Sequence, residues 1–145
     1  MKHPQTLAKE LNKIFPNPDL KIIGDKACCA FVLQWVLGIE QDDIEAIKTV
    51  QNMRLKRKID TDCTVFWYEA VPYLIGRPLK EVRFKDITSI KNIKKRTLVL
   101  MAKEENKKGV GHWVGVENGR IKFNPLDYSV NVAEGRPVEM RELIF

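Results

Sequence analysis

Apolar residues recur at helical spacing through the first half of the chain. They predict helices over residues 6–15, 26–38 and 42 to about 52. Residues 19–26, which include Gly24 and Asp25, are expected to form a loop, with Asp25 available to cap the helix that follows. The helix over 26–38 is apolar around most of its circumference, and such a helix is buried among other elements. We therefore expect it to be the central helix of the fold.

The middle of the chain gives a weaker pattern. A further helix is expected from Asp60 or Thr61 until Pro72 disturbs it. Residues 81–84 predict a short strand, and residues 86–95 predict a basic amphipathic helix.

Beyond residue 96 the pattern changes to that of strands. Runs with β-branched residues at 97–102, 112–116, 120–123 and 138–145 predict four strands, and Asn118-Gly119 between two of them is a strong hairpin signal. Helices that precede strands along the chain indicate an α+β fold with an antiparallel sheet. The chain of 145 residues has no evident linker or repeat, so residues 1–145 are expected to form a single domain.

Composition narrows the class of protein. The net charge of +6 raises the question of a nucleic-acid partner, but the basic clusters around residues 54–58 and 91–96 are not interleaved with aromatic residues. Nucleic-acid binding is therefore a weak expectation. The polar N-terminus does not resemble a signal peptide, no apolar run is long enough to span a bilayer, and three cysteines suit no disulfide framework. A cytoplasmic protein without membrane association is expected.

A cysteine, a histidine and an asparagine occur in an order along the chain that suits a nucleophile, its base and the group that orients the base. Cys28 and Cys29 stand at the start of the apolar helix, where unpaired backbone N–H groups favour a thiolate. His112 opens a strand after Gly109 and Gly111, whereas the other histidine, His3, lies near a terminus that we expect to be frayed. Asn124, one hairpin later, could orient the imidazole. Each residue also has an ordinary structural role available, and only their combination indicates a site.

The hairpin register decides whether His112 and Asn124 meet. A two-residue turn at Asn118-Gly119 pairs Val116 with Ile121 and separates apolar from polar faces, but it puts Asn124 on the face opposite His112. A three-residue loop places His112 across from Asn124 but mixes the faces. A β-bulge near His112 would reconcile the two requirements.

At these residues the chain resembles the papain-like superfamily, in particular the double-glycine-leader peptidase domains of bacteriocin exporters. The corresponding stretches begin at Cys28, at His112 (His-Trp-Val-Gly-Val) and at Phe123 (Phe-Asn-Pro-Leu). The ending from Asn124 to Ser129 also resembles an uncharacterised spirochaete and phage family. The resemblance implies a papain-like fold with the Cys-bearing helix packed on the sheet. It also implies a thiol-dependent peptidase or amidase acting on a peptide or protein through Cys28, His112 and Asn124, with Cys29 and Asp127 as alternates.

Two departures from the family pattern qualify this implication. Ile22 and Ile23 occupy the positions where the family has a Gln that completes the oxyanion hole, and the usual Gly after the cysteine is missing. A weak or inactive relative, or a non-catalytic protein that binds a protein or nucleic acid through basic surfaces, is therefore the alternative.

Cys63 is interpreted as structural. A zinc site at the three cysteines and His112 is disfavoured because adjacent cysteines rarely chelate one metal, so no metal or cofactor is expected.

Overall fold

The computed structural model describes residues 1–103 and 111–145; Gly109 lies outside these residues. They form six helices and five strands. The elements, in chain order, are α1 Pro4–Ile14, α2 Pro18–Lys26, α3 Cys28–Val36, α4 Asp43–Leu55, α5 Trp67–Ile75, β1 Glu81–Asp86, β2 Thr97–Ala102, β3 His112–Glu117, β4 Arg120–Phe123, α6 Val130–Ala133 and β5 Arg136–Ile144.

The five strands form one sheet in the order β1-β5-β2-β3-β4, and every neighbouring pair is antiparallel. The predicted α+β class with an antiparallel sheet is thus confirmed. Helix α3 packs against β3 and β2 and contributes a run of fully buried side chains to the main core. As its apolar circumference predicts, α3 is the central helix.

The sheet has two apolar faces, which we call the helix face and the outer face. The helix face packs on the main core and includes Leu98, Trp113, Phe123 and Leu143. The outer face consists of Val99, Met101, Val114, Val116 and Met140, and it is covered by Ile87, Ile90 and Ile93 together with Val132 of α6. Consequently the segment between β1 and β2 is a covering loop, and the helix predicted over residues 86–95 is wrong. Its isoleucines face a sheet instead of forming a helical stripe.

Residues 19–26 are helical, so the predicted loop is also wrong. Asn17 begins α2: its side chain accepts hydrogen bonds from the N–H groups of Asp19 and Leu20, and Pro18 occupies the first helical position. Gly24 is tolerated inside α2 because α1 crosses close by, where a Cβ would lie 2.8 Å from Cγ of Lys9. The Asn17-Pro18 pair therefore begins a helix.

Other helix boundaries also differ from the predicted ones. Helix α1 begins at Pro4 and not at Thr6, and α3 begins at Cys28 without a side-chain cap, so Asp25 does not cap it. Helix α5 begins at Trp67 and continues through Pro72. By contrast, α4 begins where it is predicted, with a capping box between Asp42 and Glu45.

No helix within residues 1–103 and 111–145 is long and apolar enough to cross a membrane.

Candidate functional site

Cys28 is the first residue of α3, and its side chain lies half-buried against the start of β3. The backbone N–H groups of Trp113, Cys29 and Cys28 lie near Sγ of Cys28 and favour its thiolate form. The candidate nucleophile thus lies near the peptide bond that joins His112 to Trp113.

His112 and Asn124 are in direct contact. Nε2 of His112 lies 2.6 Å from Oδ1 of Asn124, and the N–H of Leu126 donates to the same oxygen at 3.2 Å. A side-chain amide oxygen only accepts hydrogen bonds, so Nε2 carries the proton and Nδ1 is unprotonated in the neutral ring. Asn124 therefore fixes the tautomer in which Nδ1, the nitrogen nearer the His112 backbone, is the available base.

A β-bulge brings this pair together. The turn contains two residues, Asn118 and Gly119, whose φ angles of 52° and 72° suit a type I′ hairpin. Val116 pairs with Ile121, but the register then shifts and Gly115 pairs with Phe123. One extra residue in β4 reverses the alternation, so Asn124 reaches the side of His112. The two-residue register and the bulge both occur, although the bulge is nearer the turn than to His112.

The N-terminus of α1 holds the Asn124 segment in place. Nδ1 of His3 lies 2.9 Å from the carbonyl oxygen of Asn124, and the N–H groups of Gln5 and Thr6 donate to the carbonyl of Pro125. His3 is therefore not part of a frayed end, contrary to expectation. Asp127 does not contact the imidazole; its N–H donates to Oγ1 of Thr6 at 2.9 Å.

The sulfur and the imidazole are on different sides of β3. His112 pairs with Met101 of the outer face, whereas Trp113 pairs with Leu100, which lines the cleft that contains Cys28. His112 is only 4% exposed. Among the hydrogen bonds of the described residues, none joins a cysteine sulfur to the imidazole. The structure brings His112 to Asn124 and Cys28 to Trp113, but it leaves the two pairs unconnected.

Burial opposes activation of the thiols. It raises the pKa of Cys28, and the N–H groups of Trp113, Cys29 and Cys28 only partly offset this effect. Burial raises the pKa of Cys29 well above its ordinary value, and a charge on Cys28 would raise it further, while Arg141 lowers it. This direction is opposite to the one expected from a helix N-terminus alone. Burial also lowers the pKa of His112, against the effect of the Asn124 hydrogen bond.

Cys28 opens onto a cleft of ≈ 620 Å³ at the junction of α3, α5 and the sheet. All three cysteines line it, so Cys63 shares the cleft with the candidate nucleophile. Burial raises the pKa of Cys63 to about 11. Aromatic rings and one arginine complete the walls, namely Trp67, Phe84, Trp113 and Arg141. Sequence reasoning missed these residues because they come from separate elements and no short motif connects them.

Within the part of the chain that the structure describes, no three His, Cys, Asp or Glu side chains are grouped so that they could hold a metal ion.

Comparisons of the chain with protein-family models, with curated proteins and with solved structures find no match. The geometry of Cys28, His112 and Asn124 is therefore the basis on which a function is proposed.

Proposed function

We propose that the protein is a cysteine hydrolase of papain-like arrangement that acts on a peptide or protein amide. One observation carries the proposal: the sulfur of Cys28 lies near the backbone N–H of Trp113, while the adjacent residue, His112, is held by Asn124 in the tautomer that leaves Nδ1 unprotonated. The proposed nucleophile and base thus lie near the start of β3, on its two sides, and the orienting group already contacts the base.

In the proposed reaction, the proton of the Cys28 thiol passes to Nδ1 of His112 as the sulfur bonds to the substrate carbonyl carbon. The N–H groups of Cys28 and Cys29 are available to the developing oxyanion, in the absence of the family's Gln. The imidazolium then gives its proton to the departing amine as the C–N bond breaks. A water molecule attacks the resulting thioester and gives its proton to His112, and the departing sulfur takes that proton back.

The raised pKa of Cys28 shapes this mechanism. Because the resting thiol is protonated at neutral pH, the proton must move to His112 during attack, and this requires a displacement at the start of β3 that brings Nδ1 to the side of the sulfur. Catalysis then requires neutral imidazole, so the rate should rise with pH through the pKa of His112, which lies below its ordinary value of 6.5.

The test is the pH profile of Cys28 alkylation by iodoacetamide in a Cys29→Ser, Cys63→Ser background, which leaves one thiol. We expect a rise below pH 6.5 followed by a plateau, and His112→Ala should move the rise to the alkaline range of an unassisted thiol. A profile that follows an ordinary thiol and is unchanged in His112→Ala would refute the hydrolase.

A non-catalytic binding protein on the same fold is the second candidate. The burial of His112 and the lack of a sulfur–imidazole hydrogen bond favour it. Its cleft or its basic surfaces would then hold a protein or nucleic-acid partner without chemistry. Binding of a polyanion such as heparin that weakens with salt and is lost in Lys94→Gln, Lys95→Gln, together with an unassisted thiol at Cys28, would support this candidate.

A further inference from the structure

Arg141 occupies an unusual position in strand β5. It lies opposite Phe84 of β1 and Leu98 of β2, on the helix face, where Leu98 and Leu143 are buried apolar residues. The Arg141 side chain is only 12% exposed, yet it lines the cleft that contains Cys28 and Cys29. A guanidinium in such a place loses hydration, which is unfavourable unless another group interacts with it.

Two aromatic rings hold the guanidinium. Its central carbon lies 3.9 Å from the ring centroid of Phe84 and 5.0 Å from that of Trp113. Stacking on aromatic faces leaves the edge of the guanidinium, which carries the N–H donors, available for a planar partner.

The polar contacts of Arg141 leave most of this edge unused. Nη1 donates to the carbonyl of Met140 at 3.2 Å and lies 3.9 Å from a carboxylate oxygen of Glu139. Its hydrogen bonds and ion pairs with described residues all involve Nη1, so Nε and Nη2 have no such partner. Two adjacent donors on one edge of a guanidinium match the two oxygens of a carboxylate.

Trp113 connects this arginine to the candidate nucleophile. Its backbone N–H lies near Sγ of Cys28, while its ring contacts Arg141. Arg141 lines the same cleft as Cys28, and its charge acts on the neighbouring thiol of Cys29, whose pKa it lowers. We propose that Arg141 is a specificity residue that binds a carboxylate of the substrate beside the scissile bond. The proposal rests on the proposed function, because it names the substrate class of the same cleft.

Iodoacetate and iodoacetamide provide a direct test, since they deliver the same alkylating carbon with and without a carboxylate. In the Cys29→Ser, Cys63→Ser background, the ratio of the iodoacetate rate to the iodoacetamide rate at Cys28 is measured for the folded protein and for the same protein in urea. Local attraction of the anion should make the folded ratio about tenfold higher than the unfolded ratio. Equal ratios in the two states would overturn the proposal.

Variants identify the source of the preference. Arg141→Gln should lower the folded ratio to the unfolded value, and Arg141→Lys should retain part of it. Arg77→Gln is the matched control, because Arg77 also stacks on an aromatic ring, that of Phe145, but does not line the cleft. An unchanged ratio in folded Arg141→Gln would contradict the assignment. His112→Ala should slow alkylation by both reagents and preserve the ratio of their rates. A result that contradicts the role of His112 as a base can therefore be distinguished from one that contradicts carboxylate binding by Arg141.

Protection by small acids tests the same idea without a substitution. N-acetylaspartate amide and hippurate carry a side-chain and a terminal carboxylate, and N-acetylasparagine amide and hippuramide are their neutral counterparts. We expect one of the acids to slow iodoacetamide alkylation of Cys28 while its amide does not, and the acid that protects indicates whether an acidic residue or a chain end is recognised. Equal effects of acids and amides would refute a carboxylate site.

Discussion

The two halves of the candidate site are held in different ways. The imidazole half, His112 with Asn124, is buried and fixed by a hydrogen bond of 2.6 Å, a bulge and the N-terminus of α1. The sulfur half, Cys28, borders an open cleft and has only backbone donors, and burial raises its pKa. The difference shows that the fold sets the orientation of His112, whereas the proposed activation of Cys28 requires a change at the cleft, such as substrate binding.

The strongest test of the sulfur half compares its two cysteines. If Cys28 is the nucleophile, Cys28→Ser should lower peptide hydrolysis by about three orders of magnitude. Cys29→Ser should change it less than about tenfold, because it keeps the sulfur that lies near the Trp113 N–H. Turnover of a fluorogenic peptide library measures both. A larger loss in Cys29→Ser would reverse the assignment of the nucleophile.

Helix α3 bears Cys28 and strand β3 bears His112, and the packing of these two elements depends on Gly115. A Cβ at this position would lie 2.4 Å from the Trp35 ring, which stacks on Phe123 with centroids 6.0 Å apart. Gly115→Ala should therefore lower the free energy of unfolding by about 1–3 kcal/mol. Gly38→Ala is the control, since no atom lies within 4 Å of its added Cβ but φ is +73°. Urea unfolding should show the smaller loss at Gly38, and the reverse order would contradict the predicted clash.

The cleft should also make the free energy of unfolding fall at alkaline pH, because the buried thiol of Cys63 lines it. The pKa of Cys63 is about 11 in the fold against an ordinary 9.0, so the unfolded chain loses this proton first as pH rises. The contribution of the Cys63 thiol to the free energy of unfolding is fully present below pH 9, and it falls by on the order of 2 kcal/mol as pH approaches 11. Cys63→Ser should remove that part of the pH dependence of urea unfolding. Identical slopes in both proteins between pH 9 and 11 would contradict the predicted burial effect.

The smallest expected effect concerns the imidazole half. Asn124→Ala removes the acceptor at Nε2, so the ring should populate both neutral tautomers and Cys28 alkylation at neutral pH should slow by about tenfold. Nitrogen NMR of the His112 ring reports the tautomer independently of the rate. Asp127→Ala is the matched control, because Asp127 contacts Thr6 and not the imidazole. A ring that keeps its proton on Nε2 in Asn124→Ala would show that Asn124 does not fix it.

Patterns with a local cause were predictable. The capped start of α4, the apolar α3, the strands and the Asn118-Gly119 turn follow from capping, periodicity and backbone preference, each expressed within a few residues. The failures share a cause as well. The isoleucines of residues 86–95 can line a helix or cover a sheet, and Asn17-Pro18 can end one helix or begin another. Only long-range packing decides between these outcomes.

The amino-acid pattern alone predicts an α+β chain and the order of a cysteine at a helix start, a histidine at a strand start and an asparagine one hairpin later. Which of these residues contact each other depends on the tertiary structure. The register shift at Gly115 puts Asn124 on the side of His112, and strand alternation puts the cleft on the side of Trp113. Tertiary structure also reversed the expected pKa direction at Cys28, because desolvation depends on every element that covers the sulfur. The placement of Arg141 in the cleft that contains Cys28 has the same origin, since the side chains of β1, β5 and β3 that surround it come together only after the sheet has formed.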